Sequence, residues 1–450
     1  MRGHLLIYLV TVLACVSMRF QLFIPGKNWC LSLAELASFF EARRIKFAVC
    51  SVSNEFFVVS TEEKVGFSII EGLGGTIKIG ASATNFSTEV GKRAFLQKDK
   101  EAQAQIGREI VASGLVEEMF KAESERGFFG VSVYCAERSL RPVSRSIQRF
   151  VGSTVKRELA GYGKKSKFMG FSKERKHPQL SHVEVLKKNL VENKAEILFC
   201  VGKERTFVAT TIAVHNPFEF QKRDICKPVQ RKIFAIPPRL ARIMVNLAAC
   251  TEGKVLVDPF CGVGTILEEA LLSKAEVIGV DINRWCVEAT SRNMEWLKAE
   301  YSLENAEYRV LQGDVRKLSQ KVGWKQIDCV ATEPDLGPAL RQIPTTLYAI
   351  RIVVKLEPLY HGLLEEAYKV LKSGGRLVLV LPYIKTRSGK PVAMEIEEKA
   401  RDIGFQRVYP FKRGLFAEDV VVPENLMAMT SFVEAEERHK IGREIHVFQK

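Results

Sequence analysis

The sequence predicts an α/β protein. Its C-terminal half reads as a doubly wound parallel sheet, preceded by two smaller units, the first of them α+β. Three observations predict this. Apolar runs in the C-terminal half end in acids or polar turns and are separated by helical patterns, the signature of right-handed parallel α/β units. One of those turns is a glycine loop between a strand and a helix. Ahead of it, short strands and helices alternate around a long basic stretch.

The C-terminal elements follow in order. Val255 to Val257 is an apolar run ending at Asp258, and Asp258-Pro-Phe-Cys-Gly-Val-Gly-Thr265 is the loop that leads into a helical stretch, Ile266 to Leu272. Ligands bind at such turns because backbone N–H groups and the helix dipole are available and glycine permits close approach. Glu276 to Asp281 is a second strand ending in an acid, ~20 residues on, where doubly wound sheets hold ribose hydroxyls. Tyr308 to Asp314 is a third, ending in Gly-Asp. Ile327 to Pro334 is a fourth, ending in a polar loop. Arg376 to Pro382 is a fifth, entered through the Ser373-Gly-Gly turn. A glycine loop alone is weak evidence; the acid-ended strands in the same order strengthen it.

At 450 residues the chain has room for two or three domains, and 46% apolar with 26% charged residues is ordinary for a soluble globular protein. Net charge is +15 and the sequence pI about 9.3, which favours a polyanion, nucleic acid first and an anionic membrane surface second. The ten cysteines show no C-x-x-C and no histidine at ligand spacing, which argues for a reducing cytosol and against structural zinc. No metal is implied. Cys261 in the glycine loop reads as small-residue packing rather than a nucleophile. Residues 1–17 read as signal-like, with an apolar run from Leu5 to Cys15. Met18 opens a segment resembling a natural start, so translation from Met18 and a cytoplasmic location are the expectation.

Residues 18–85 read as an α+β domain: a strand at Phe20–Ile24, a helix from Leu31 to Arg44, then paired strands at 46–51 and 55–60. Residues 86–215 form a second unit. Its basic stretch includes Arg141, Arg145, Arg149, Lys156, Arg157, Lys164, Lys165, Lys167, Lys173, Arg175 and Lys176, broken by Tyr162, Phe168 and Phe171. Bases interleaved with aromatics suit phosphate contacts plus stacking on unpaired nucleobases; a solvated helix face is the bland alternative. Residues 216–232 have linker composition, and Pro237-Pro238 opens a helix over 239–249. Residues 233–450 make the last domain.

The Arg223-Asp-Ile-Cys-Lys-Pro228 linker, the Pro238 to Leu247 helix and the Asp258 to Thr265 loop come in that order, behind Leu31-Ser-Leu-Ala-Glu-Leu36 and Phe207-Val-Ala-Thr-Thr-Ile-Ala213. With these parts the chain resembles the THUMP-domain tRNA (guanine-N2-)-methyltransferases of the archaeal guanosine-10 type, shared in part with the eukaryotic Trm-eleven catalytic subunit. The resemblance covers most of residues 18–450. It implies a THUMP-like RNA-binding domain over 86–215 and a Rossmann-like domain over 233–450 that uses S-adenosylmethionine (SAM). It also implies tRNA as partner, gripped largely through its 3′ end, and leaves room for a small activating subunit. Carried onto this chain, the SAM residues are Asp258, Phe260, Gly262, Gly264, Thr265, Asp281, Ile282, Asp314 and Val315. Asp314 would meet the adenine amino group.

In that family the loop after the fourth strand reads Asp/Asn-Pro-Pro-Tyr. Its acid and a proline carbonyl accept the hydrogens of the target amine, and its ring stacks on the flipped base. This chain has Thr332-Glu-Pro-Asp-Leu-Gly337. Glu333, Pro334 and Asp335 are the catalytic candidates, and Asp335 reads almost equally as a turn residue. Leu336 stands where the ring would be, and stacking is worth about 1–3 kcal/mol per base. Tyr348, Tyr360 and Tyr383 are candidate replacements. Three readings follow: an N2-guanine methylase with a rebuilt pocket, a methylase of another atom or RNA position, and an RNA binder with a vestigial enzyme fold. DNA amino-methylation shares the loop but gives the basic N-terminal unit no role.

Overall fold

The computed structural model describes residues 19–62, 67–120, 126–170, 178–231 and 235–450. Residues 1–18 lie outside these, as do Phe171, Lys173, Arg175 and Lys176 from the basic stretch.

Two sheets organise the chain. The first has eight strands in the order β2-β3-β1-β4-β8-β7-β5-β6. They are β1 (Arg19–Pro25), β2 (Phe47–Val52), β3 (Phe57–Thr61), β4 (Thr76–Ser87), β5 (Arg126–Cys135), β6 (Lys165–Met169), β7 (Glu196–Val201) and β8 (Arg205–Val214). The expected division between residues 85 and 86 therefore falls inside β4. That strand is twelve residues long and pairs with β1 on one edge and β8 on the other. One strand serves both units, so their sheets are continuous although their cores are separate. Phe129, Val131, Ile106, Ile147 and Val151 fill one core. Phe23, Phe57, Val59 and Leu33 belong to another, which runs into the C-terminal half.

A buried ionic cluster ties the first sheet together. Lys78 on β4 and Glu196 on β7 form an ion pair with side chains 1% and 0% exposed. The Lys78 Nζ also donates to the Leu180 carbonyl at 2.9 Å, and Glu196 accepts from Ser132 Oγ at 2.6 Å and Thr211 Oγ1 at 2.8 Å. Buried charges are tolerated when paired and fully hydrogen-bonded, as these are.

The second sheet runs β11-β10-β9-β12-β13-β17-β15. Its strands are β9 (Val255–Asp258), β10 (Glu276–Asp281), β11 (Tyr308–Gln312), β12 (Ile327–Thr332), β13 (Leu371–Ile384), β14 (Val392–Ala393), β15 (Gln406–Arg407), β16 (Ser431–Glu434) and β17 (Ile441–Gln449). β14 and β16 lie off the main path, on β13 and β17. The strands from β11 to β13 are parallel, and β17 joins antiparallel to β13. Winding reverses at β9: the chain goes out to β10 and β11, then returns to add β12 on the other side. The carboxyl ends of β9 and β12 are thus the switch point, where open α/β sheets bind ligands. β13 is longer than the fifth expected strand and includes the Ser373-Gly-Gly turn residues.

Much of the segment read as a linker, 216–231, is regular or hydrogen-bonded. Residues Pro217–Ile225 form a helix, capped by Asn216 Oδ1 accepting from Phe218 N at 3.0 Å, with proline at the first helical position. The halves are then joined by two helices. Trp29–Ala42 packs on Pro238–Leu247, and both helices contribute to one apolar core. Glu35 is wholly buried there. Its carboxylate accepts from Gly74 N, Gly75 N and Asn246 Nδ2, each at 2.7 Å. Glu35→Ala would strand three buried donors, each worth about 1–3 kcal/mol. The expected result is a loss of at least about 3 kcal/mol in urea unfolding; a loss under 1 kcal/mol would show that the joint does not depend on this carboxylate.

Candidate active site

The switch point carries a direct side-chain bond. Thr332 Oγ1, at the end of β12, donates to Asp258 Oδ1, at the end of β9, at 2.7 Å. Asp258 is 2% exposed and also accepts from Phe260 N at 3.1 Å. Burial pushes its carboxyl up to about 7, against the lowering effect of the Thr332 and Phe260 hydrogen bonds.

The glycine loop folds over these strand ends. Gly262 has φ +56° and Gly264 φ +91°, conformations that side chains rarely adopt. A Cβ on Gly264 would meet Thr290 at 3.0 Å. One on Gly262 would meet only its own loop, at 4.0 Å, so space is open above Gly262. Asp281 at the end of β10 closes the loop: its Oδ2 accepts from Gly262 N at 3.0 Å and its Oδ1 from Asn283 N at 2.8 Å. A carboxylate has about four acceptor positions, so each oxygen retains capacity for a hydroxyl. Ile282, beside it, is 67% exposed and offers an apolar face. Open space above glycine, an acid with spare acceptors and an adjacent apolar surface fit a nucleoside-type cofactor.

Other expected cofactor residues are placed differently. Asp314 is engaged by Arg316 through both Nε (3.0 Å to Oδ1) and Nη2, and this guanidinium holds its carboxyl below the usual range. An adenine amino group would share this carboxylate with Arg316. Val315 is 4% exposed and belongs to the core between the β strands and the Thr346–Val370 helix. Thr265 is buried, with its hydroxyl accepting from Lys227 Nζ at 2.9 Å.

The loop after β12 is likewise held by a residue that carries no motif. Glu333 forms a two-pronged ion pair with Arg443 of β17: Nη2 lies 3.0 Å from Oε1, and Nε bonds Oε2. The side chains are 10% and 14% exposed. Asp335 takes the turn role, Oδ1 accepting from Gly337 N at 2.9 Å, and it is exposed. Pro334 is buried. Of the three tyrosines, Tyr360 is fully buried and donates to the Asp335 carbonyl at 3.1 Å, which removes it as a stacking ring; Tyr348 is 48% exposed and Tyr383 half-buried.

A cavity of about 960 Å³ opens beside this loop. Its walls come from three parts of the chain: Lys27 and Asn28 after β1, Lys227 and Arg231 after the Pro217–Ile225 helix, and Arg438 to Arg443 leading into β17. Leu336, Pro338 and Val263 bring the loop after β12 and the glycine loop to its edge, and Asp224, Glu434 and Glu436 are the acids among the cations. Among the described residues its lining holds no Phe, Tyr or Trp; His439 and guanidinium planes are the flat groups there.

The basic candidates lie on the first sheet's far end. Arg149, Lys156 and Arg157 are exposed on the Ser144–Gly161 helix, with Arg145 half-buried at its start. Lys165 and Lys167 are exposed on β6; Lys164 is turned inward, its Nζ bonding the Met119 carbonyl. Of the interleaved aromatics Tyr162 is 50% exposed, whereas Phe168 packs on Phe129 with ring centroids 5.2 Å apart. Phe128 was not expected: on β5 it points opposite to Phe129, is 38% exposed, and has Lys188 Nζ 4.6 Å and Lys167 Nζ 5.8 Å from its centroid. Strand alternation is the signal that marks it.

The comparisons with known proteins meet this geometry. Residues 229–391 match the RMKL-like methyltransferase domain family, and residues 163–292 match a DNA methylase family. The chain has the fold of a Rossmann-like methyltransferase. It is similar to the crystal structure of TrmN from Thermus thermophilus, with a TM-score of 0.51 at 16% identity, covering 96% of this chain and 99% of that one. A tRNA (guanine(10)-N2)-dimethyltransferase of Pyrococcus abyssi is 32% identical over 201 residues, 45% of this chain and 55% of that protein. One from Methanothermobacter thermautotrophicus is 30% identical over 183 residues, 40% and 48% of the two chains. The chain thus spans about half the length of the curated relatives it matches.

A pH prediction follows from Asp258. Its raised carboxyl binds a proton in the folded state between the ordinary carboxylate range and about 7. Stability is therefore greatest below that window and is lost as pH rises through it. The loss reaches on the order of 4 kcal/mol for a shift of about three units. Urea unfolding from pH 5 to 8 should show wild type losing stability and Asp258→Asn losing distinctly less. Parallel curves would place the carboxyl in its ordinary range.

Proposed function

We propose that this chain is a SAM-dependent RNA methyltransferase that modifies an exocyclic amine of a base in tRNA, most closely the N2 of a guanosine of the position-10 type. The observation that carries the reading is the switch point itself. There the glycine loop with Asp258 and Asp281 stands beside the Thr332 to Gly337 loop, and both open on a cation-lined cavity. Asp281 and the space over Gly262 would hold the cofactor's nucleoside, with Ile282 flanking its base. SAM supplies a methyl group on a sulfonium, a good leaving group. The chain's own task is then to orient the amine and accept its hydrogens.

Glu333 and the Pro334 carbonyl are the acceptors in this reading. Arg443 uses one side of the Glu333 carboxylate, and the remaining acceptor positions are free for an N–H. The same pairing, with Leu336 in place of a ring, favours a second reading: methyl transfer to a different base atom or RNA position. The basic face with Phe128 and Tyr162 would hold RNA by phosphate contacts and stacking, as a THUMP-like unit. A small activating subunit belongs to the reading as well, and a chain that methylates tRNA unaided would remove it. Among the described residues no helix is long and apolar enough to cross a membrane; a cytoplasmic location is part of the proposal.

Tritiated SAM and unmodified tRNA, followed by nucleoside analysis, test the activity. Labelled N2-methylguanosine is expected, falling roughly 100-fold in Glu333→Ala. Label on another nucleoside would establish the second reading. Binding of both SAM and tRNA without any label would leave an RNA binder with a vestigial fold. The RNA face is tested separately: Lys165→Glu with Lys167→Glu should weaken tRNA binding and reduce the salt slope by about 1 to 2. An unchanged slope would move the contact surface elsewhere.

A further inference from the structure

The segment Arg223–Gln230 reaches the glycine loop by three separate ties, each largely buried. Arg223 Nε donates to Glu269 Oε1 at 2.6 Å, and Arg242 Nε donates to the other oxygen at 2.8 Å. Lys227 Nζ lies 2.9 Å from Thr265 Oγ1 and 3.1 Å from Glu268 Oε2, with Lys227 and Glu268 side chains 3% and 0% exposed. Asn293, fully buried on the Arg284–Glu300 helix, takes the Val229 N–H on its Oδ1 at 2.9 Å. Its Nδ2 donates to the carbonyls of Val229 at 2.9 Å and of Val263 at 2.8 Å.

These ties act on the part of the loop whose backbone is least determined by sterics. Gly262 and Gly264 both have positive φ, and glycine at such positions has many alternatives. Thr290 Oγ1 holds the Gly262 carbonyl at 2.9 Å, and Asn293 holds that of Val263. In a planar trans peptide the N–H points opposite to the carbonyl. Fixing these two carbonyls toward the Arg284–Glu300 helix therefore turns the following N–H groups away from it. Lys227 fixes the next residue, Thr265, by its hydroxyl.

We infer that Lys227 and Asn293 are positioning residues for the cofactor: together with Val229 they clamp the glycine loop in its binding conformation, so that the segment between the two halves completes the SAM site. This rests on the SAM reading above. Neither residue needs to touch the cofactor. The clamp supplies a loop that is already ordered, so that binding does not have to order it.

The test uses the full chain and two variants, Lys227→Met, which keeps the stem without the charge, and Asn293→Asp, which keeps the acceptor for Val229 N–H but sets a carboxylate against the Val263 carbonyl. SAM affinity is measured by calorimetry well below the unfolding temperature. Hydrogen exchange of residues 258–271 is measured on the cofactor-free protein, and tRNA affinity serves as a control. The expected result is at least tenfold weaker SAM binding and faster exchange confined to the loop in both variants, with tRNA affinity within twofold in Asn293→Asp, whose side chain lies outside the cavity, and Lys227→Arg recovering part of the loss. Unchanged SAM affinity and loop exchange in a folded variant would overturn the inference and leave the ties as braces. If Lys227→Met does not fold, Asn293→Asp decides by the same two readouts. Failure of wild type to bind SAM would retire the cofactor reading, whereas slowed loop exchange in wild type relative to the variants would still establish the clamp.

Discussion

Asp258 is a carboxyl buried at the end of β9, 2% exposed, and a buried acid is costly unless its oxygens are satisfied. Thr332 satisfies one of them from the neighbouring strand. Because β9 and β12 are the strands between which winding reverses, this hydrogen bond ties together, beyond their parallel pairing, the strand ends from which the two candidate loops rise. The glycine loop rises from β9, and the Glu333 loop rises from β12. Everything else at the site is referred to that pair of strand ends. Asp281 holds the glycine loop from β10, and Arg443 holds Glu333 from β17, two strands further across.

The second constraint is the rigidity of the joint between halves. Glu35 ties the first helix to the turn before β4 and to Asn246, and Arg239 Nε donates to the Gly74 carbonyl at 2.8 Å. The continuous first sheet then carries this registration out to β6 and the basic helix. In the proposed reading, a nucleic acid lying on Lys165, Lys167 and Phe128 would extend along this sheet toward the cavity beside Leu336. Among the described residues, guanidinium planes, His439 and aliphatic side chains line that cavity.

Much of this was legible in the sequence, for identifiable reasons. Parallel strands in a covered sheet are continuous apolar runs, so β9, β10 and β12 stand out, and each ends in a residue whose polarity marks the ligand edge. The glycine loop shows itself because two positive-φ positions in four residues need glycine. What escaped was set by tertiary pairing. Arg443 lies in an ordinary alternating strand, and nothing local connects it to Glu333, 110 residues away. The expected boundary at residue 85 falls inside β4, a strand that pairs with both β1 and β8 and whose pairing is set by distant segments. Phe168 and Tyr360 read as exposed rings because composition does not say which face of a strand or helix is inward. Asp314 looked free because an Arg two residues on is invisible as a partner until the turn brings it back.

The most direct measurement is a structure of the full chain with S-adenosylhomocysteine and a substrate tRNA. The account predicts the ribose on Asp281, the nucleoside over Gly262, and a flipped nucleotide in the cavity beside Leu336 with its exocyclic amine at Glu333 and the Pro334 carbonyl. A cofactor bound away from the ends of β9 and β10, or RNA that leaves the cavity empty, would contradict it.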